Sequence, residues 1–228
     1  MKRLVLLVCV LGMLALPQFA SAKVVELGAS AGPAKSNCPN DPCEAIGRVT
    51  GYQGRSGTVA NPFRIAHAGK IVAFTVTLAK LNSTQVSYFT GLYGSPPSVR
   101  LSILRKGKAR RTRLSHRLIR QSKVYDVEHY LGSTPSFALD TPLVVKRGYI
   151  VAITVPTWVP SLAGAGSHLS SRNWWRSSRR KGDCRNATQR AAQQRIRSKR
   201  DFGCTYSTAR LLYTATYVSD PRPTDGSK

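Results

Sequence analysis

Apolar residues recur at every second position in several short runs of this chain, and that period constrains its fold more than any motif does. In Ile71 to Leu78, the residues Val72, Phe74, Val76 and Leu78 alternate with Ala73, Thr75 and Thr77, the pattern of a strand with one buried face. The same alternation places Val99, Leu101 and Ile103 on one strand, Tyr149, Val151, Ile153 and Val155 on another, and Leu211, Tyr213, Ala215 and Tyr217 on the last. Weaker strands are predicted near Ile46 to Tyr52, Arg113 to Arg120, Val124 to Leu131, Ser136 to Leu139 and Leu143 to Val145. Turn residues separate them, as in Gly94-Ser95-Pro96-Pro97, Lys106-Gly107-Lys108, Gly132-Ser133-Thr134-Pro135 and Arg147-Gly148. Many short strands without intervening helices predict an all-β domain, a single antiparallel β-sandwich of jelly-roll type.

The ends of the chain read differently. Lys2 and Arg3 precede an apolar run from Leu4 to Pro17, and Ala20-Ser21-Ala22 has the small-x-small pattern of a cleavage site, so residues 1–22 read as a secretion signal. No later stretch reaches the roughly 20 apolar residues of a membrane span, and no transmembrane segment is expected after signal removal. Residues 23–36, rich in Gly, Ala, Ser and Pro from Gly28 on, read as a flexible leader, 37–218 as the sandwich, and 219–228 as a disordered tail.

Beyond the signal, Cys38, Cys43, Cys184 and Cys204 form an even set, which in a secreted chain reads as two disulfides. Of the three connectivities, proximity favours Cys38 with Cys43 and Cys184 with Cys204. A zinc site would need two close Cys pairs, whereas nineteen residues separate the second pair. No motif for a metal or another cofactor is present, and none is expected. Within the Cys184–Cys204 loop, Asn186 to Arg200 contains good helix formers but only Ile196 as a large apolar residue. It reads as a basic loop or a short solvent-facing helix near the C-terminus.

Charge narrows the partners. The chain holds 35 Lys and Arg against 10 Asp and Glu, a net charge of +25, and cleavage would remove only Lys2 and Arg3. Such an excess attracts polyanions in a salt-sensitive way, nucleic acid included but only nonspecifically. Eleven bases lie between Arg172 and Arg200 against the single acid Asp183. With two adjacent tryptophans and Trp158 just upstream, this stretch suits an anionic or sugar-bearing polymer, because Arg forks grip anions and aromatic faces stack on rings. The expected contact set is Trp158, Arg172, Trp174, Trp175, Arg176, Arg179, Arg180 and Lys181. The competing reading makes the tryptophans a cover over one end of the sandwich, with arginines stacked on them. A second run, Arg105 to Lys123, has nine bases and no acid, and it reads as one solvated strand face.

Catalytic signals are few. Asp126 and Glu128, two apart on a predicted strand, would share a face at a spacing usable in glycoside hydrolysis, but counter-charges on a basic surface have the same pattern. His116 and His129 alternate with apolar neighbours and read as core histidines. No catalytic residue is assigned.

The segments Gly57-Thr58-Val59-Ala60-Asn61-Pro62-Phe63, Val151-Ala152-Ile153-Thr154-Val155-Pro156-Thr157-Trp158, Trp175-Arg176-Ser177-Ser178-Arg179, and Cys204-Thr205-Tyr206 followed by Ala209-Arg210-Leu211-Leu212-Tyr213 carry a resemblance. From about Gln53 to Tyr217 the chain is similar to uncharacterised secreted β-sandwich proteins of actinobacteria. The resemblance implies secretion and a sandwich, and it implies no activity. Secretion, charge and the Trp/Arg cluster point to a noncatalytic module that binds a cell-envelope polymer or cell-wall glycan, located outside the cell or at its envelope. The alternatives are a structural envelope protein without a specific ligand and, last, a glycan-acting hydrolase. Mass spectrometry of secreted, nonreduced protein is expected to find Lys23 at the amino terminus and the two sequence-local disulfides; free thiols, or a peptide joining Cys43 to Cys204, would overturn this.

Overall fold

In the computed structural model, which describes residues 22–29, 34–164 and 169–221, the alternating runs become strands of two antiparallel sheets. The predicted signal up to Ser21 and the tail from 222 lie outside the described residues. One sheet has the order β1 (Val24–Leu27), β15 (Tyr213–Ser219), β4 (Gly69–Val76) and β8 (Ser136–Val145). The other runs β12 (Lys199–Asp201), β6 (Ser115–Gln121), β5 (Ser98–Lys106), β9 (Ile150–Val159), β2 (Ile46–Ser56), β11 (Trp174–Ser177) and β13 (Cys204–Ser207). On it, β3 (Val59–Ala60) adds to β2 and β7 (Tyr125–Asp126) to β5, while β10 (Leu162–Ala163) and β14 (Arg210–Leu211) form a separate pair. The chain crosses repeatedly between sheets, so strands distant in sequence become neighbours in an all-β antiparallel sandwich.

Between the sheets lies the main core. Phe74 and Val76 of β4, with Tyr213 and Ala215 of β15, face Leu101 and Ile103 of β5 and Val151, Ile153 and Val155 of β9. The alternation thus identifies the inward residues of β5, β9 and β15. In β4 it fails at one place: a register shift between Ile71 and Ala73 places Ile71 in the core in place of Val72. The two predicted strands Ser136 to Leu139 and Leu143 to Val145 are one, β8.

Three further differences have physical causes. The predicted leader is partly a strand: Val24 pairs with Val218 and Leu27 with Ala215, while Val25 and Leu27 pack on the core. Lys23 and Ser219 add two hydrogen bonds, so the sandwich begins near Lys23 and not at Asn37. The one helix among the described residues, α1 (Ser83–Tyr93), was hidden by weak helix formers, yet Asn82 and Gln85 form a reciprocal capping box at its start. Its buried Phe89 and Tyr93 cover Trp158. The Asn186–Arg200 stretch, finally, forms no helix; apart from the start of β12 it is a loop.

That loop lies on the outer face of the larger sheet, so the central strands are buried on both sides. Ile150 and Ala152 of β9 pack with Tyr52, Leu104, Leu118 and Phe202 in a second apolar cluster. Beside it runs a chain of buried hydroxyls and amides. Thr154 Oγ1 lies 2.8 Å from Thr50 Oγ1 and 2.6 Å from Ser102 Oγ, and Gln121 Nε2 donates to Ser102. The loop completes the chain: Gln193 N donates to Thr50 Oγ1, Gln121 Nε2 to Gln193 O, and Ser178 Oγ to Ala191 O. A covering loop must satisfy its own backbone, and these strand side chains supply the partners. Replacing Thr154 by its isostere valine should strand at least one buried hydroxyl and lower stability by about 1–3 kcal/mol in urea melts. Thr75→Val, on the outward side of β4, should change it by less than about 0.5 kcal/mol.

Candidate functional site

Both disulfides join the pairs that proximity favoured, Cys38–Cys43 and Cys184–Cys204. The second closes the covering loop onto β13, and the bases of the predicted contact set are distributed around this closure. The set does not share one exposed surface. Trp158 is 0% exposed, packed on Phe89 under α1. Trp175, 5% exposed, points into the main core and stacks on Tyr206 with ring centroids 4.4 Å apart. Trp174, on the other face of β11, is half-buried across Gly54, where an added Cβ would stand 1.8 Å from its ring. The Arg176 guanidinium sits 5.7 Å from the Trp174 centroid and donates to Phe202 O. Arg179 is 5% exposed and donates through Nη2 to Gly47 O and Ala187 O. The expected platform of three tryptophans for ring stacking is therefore corrected: strand alternation turns Trp175 inward, and the helix covers Trp158.

Arg172, Arg180 and Lys181 remain exposed. The latter two meet residues from the second basic run, since Arg110, Arg111 and Arg113 join Arg180 and Lys181 around one groove of about 370 Å³, with Asp201 and Gly203 in its wall. Two contacts create this juxtaposition. Phe202 N donates to Leu114 O, and β12 pairs with β6, setting Asp201 against Ser115 and Lys199 against Arg117. Gly203 N donates to Arg179 O, which brings the start of the covering loop to the same place. Each basic run was legible in the sequence, but their meeting was not, because it depends on a strand pairing about 80 residues apart along the chain. Among the described residues a single ion pair is present, Lys123 with Asp140 at 2.8 Å, so none of the groove's bases is paired with a described carboxylate.

The predicted acid pair does not form on a strand. β7 ends at Asp126, whose Oδ1 accepts a hydrogen bond from Glu128 N, and Glu128 opens a 3-10 turn that carries His129 to the surface. His129 is thus exposed where a core position was expected. His116 does take a core position. Its Nδ1 lies 2.8 Å from Leu114 O, which can only accept, so Nδ1 carries the proton and Nε2 accepts from the Tyr52 hydroxyl at 3.2 Å. The Tyr52 and Phe202 rings flank it.

No family model, curated protein or solved structure matches this chain.

Burial pushes the His116 imidazole down from 6.5 to about 4; Lys106 and Arg176 add to the fall, while the Leu114 carbonyl and Asp201 oppose it. Burial also pushes the Tyr52 phenol up to about 12, against the field of Arg176, so both groups stay neutral near pH 7. With the imidazole depressed in the folded state, the unfolded chain binds the extra proton between about pH 6.5 and 4. His116 should therefore cost no stability above pH 6.5 and up to about 3 kcal/mol by pH 4. Denaturant midpoints of the wild type and His116→Gln across this range check it; the variant should lose the His116 contribution to the slope.

Proposed function

We propose that this chain is an exported, noncatalytic binding module that holds an anionic polymer at the cell envelope through the groove formed by Arg110, Arg111, Arg113, Arg180 and Lys181. The observation that carries this reading is the convergence of two separate basic runs on one groove. Five fork-shaped or point cations at one place act together on a polyanion, whereas a single surface cation is screened within about 8 Å at physiological salt. Two disulfides, and no helix among the described residues long and apolar enough to cross a membrane, are compatible with an extracellular location. The polymer is held by charge: Trp158 and Trp175 are buried, so the sugar-stacking part of the original expectation rests on Trp174 alone.

That burial also supports the second reading, a structural envelope protein in which the aromatic cluster is core. Retention on immobilised polyphosphate at increasing NaCl separates the two. Five bases on one strand of phosphates should give a log-log salt slope of about −4. Changing Arg110, Arg111, Arg113, Arg180 and Lys181 to Gln should bring the slope toward zero with little change in Tm. An equal charge loss at Arg64, Lys70, Lys80, Lys146 and Arg147 should alter it much less. Equal losses of slope in the two variants would mean diffuse attraction by net charge, and the structural reading would replace this one.

A further inference from the structure

A second cleft is larger than the basic groove. It measures about 550 Å³ and lies between α1, the start of β2, and the segments around Cys184 and Tyr206. Its walls are apolar and aromatic, with Phe89 from α1, Ile46 from β2 and Leu162 from β10 beside the stacked Trp175 and Tyr206 rings. Against these walls stands one buried cation. Arg179 lines the cleft with its side chain 95% hidden, and only Nη2 is occupied, by the carbonyls of Gly47 and Ala187. Its Nη1 is buried without a hydrogen-bond partner, and so is the indole Nε1 of Trp175 in the same wall.

An arginine keeps its charge in such a place, and an unpaired guanidinium edge in apolar surroundings is costly unless an anion completes it. The unmatched Arg179 atom is a charged donor, so its complement is an anionic acceptor. Charge argues for a monoanion: Arg179 is the one buried cation of the cleft, and the rim carries Glu44 as well as Arg185, which disfavours a dianionic phosphate. The volume falls in the range of small-molecule sites, and the apolar walls demand a body with little hydration.

We propose that this cleft binds a small carboxylate with a flat or aliphatic body, its carboxylate on the free edge of Arg179 and its body between Phe89 and the Trp175–Tyr206 stack. The proposal is independent of polymer attachment, since the groove of Arg110 and Lys181 takes no part in it.

Titration of the oxidised full chain with phenylacetate, hexanoate and glucuronate, each against its amide, tests the site by NMR of the three tryptophan indole N–H groups, with Trp175→Phe identifying the signal. At least one acid should saturate below about 10 mM, move the Trp175 signal, and bind about tenfold or more tighter than its amide. The acid that does so distinguishes an aryl from an alkyl body, and saturation by glucuronate alone would overturn the proposal. Arg179→Gln should abolish the preference for acid over amide, while Arg180→Gln should retain it. Should Arg179→Gln fail to fold, because the same head group holds Gly47 and Ala187, the acid-to-amide ratio in the unaltered chain decides. No saturation by any acid below about 10 mM, equal binding of acid and amide, or shifts confined to another tryptophan would overturn the proposal. Loss of polyphosphate retention in the groove variant, with carboxylate binding intact, would leave this site standing by itself.

Discussion

The hydroxyl of Thr154 is the contact on which the cover over the larger sheet depends. It sits in the middle of β9 on a face that an ordinary two-sheet sandwich would leave to solvent, within 2.8 Å of Thr50 Oγ1 and 2.6 Å of Ser102 Oγ. Of the three, Thr50 accepts from Gln193 N on its hydroxyl and donates its own N–H to Ser178 Oγ, while the Gln121 amide that donates to Ser102 also donates to Gln193 O, so the covering backbone is not left buried without partners. Hydrophobic burial alone could not position such a cover, because the loop contributes few large apolar side chains besides Phe202. Direction comes from the polar contacts. Hence Arg180 and Lys181 at its start are set against Arg110, Arg111 and Arg113, and the Arg179 head group is turned under the surface.

How much of this was legible from sequence follows from the range of the interactions concerned. Period-two runs report which side of a strand is buried, and they identified β5, β9 and the last strand correctly because those strands face the main core. They could not report a second buried face. Ile150, Ala152 and Thr154 look like an outward-facing set until Phe202 and Gln193 are laid on them. Helix α1 was overlooked for the opposite reason: its propensity is poor, and the Asn82 to Gln85 cap and the packing of Phe89 and Tyr93 on Trp158 hold it. The cysteine pairing was accessible because each pair is close in sequence.

For the binding residues the sequence displayed composition but hid orientation. Trp174-Trp175-Arg176 reads as a cluster, yet on a strand adjacent side chains point to opposite faces, so one tryptophan enters the core and the other lies on Gly54 beneath Arg176. Just past β11, Arg179 and Arg180 are neighbours in the chain and still serve different surroundings: one is held by two carbonyls at the wall of the apolar cleft, the other opens onto the basic groove. Density of charge along a chain is thus a weak guide to which charges act together. Strand pairing, here β12 with β6, decides that.

The covering loop gives the domain an unequal resistance to opening. It is fastened along its length, by Ser178 at one end, by Ala191 and Gln193 in the middle, and by the exchange of backbone bonds between Leu118 and the Arg197–Ser198 pair near the other. The Cys184–Cys204 bond keeps it from drifting away even when those contacts break. Fluctuations that expose β9 must therefore release several anchors at once, whereas β1 is secured by one neighbour at the sheet edge. Among the described strands, backbone amides of β5, β9 and β2 would be the last to trade hydrogen with water, and those of the amino-terminal edge strand the first.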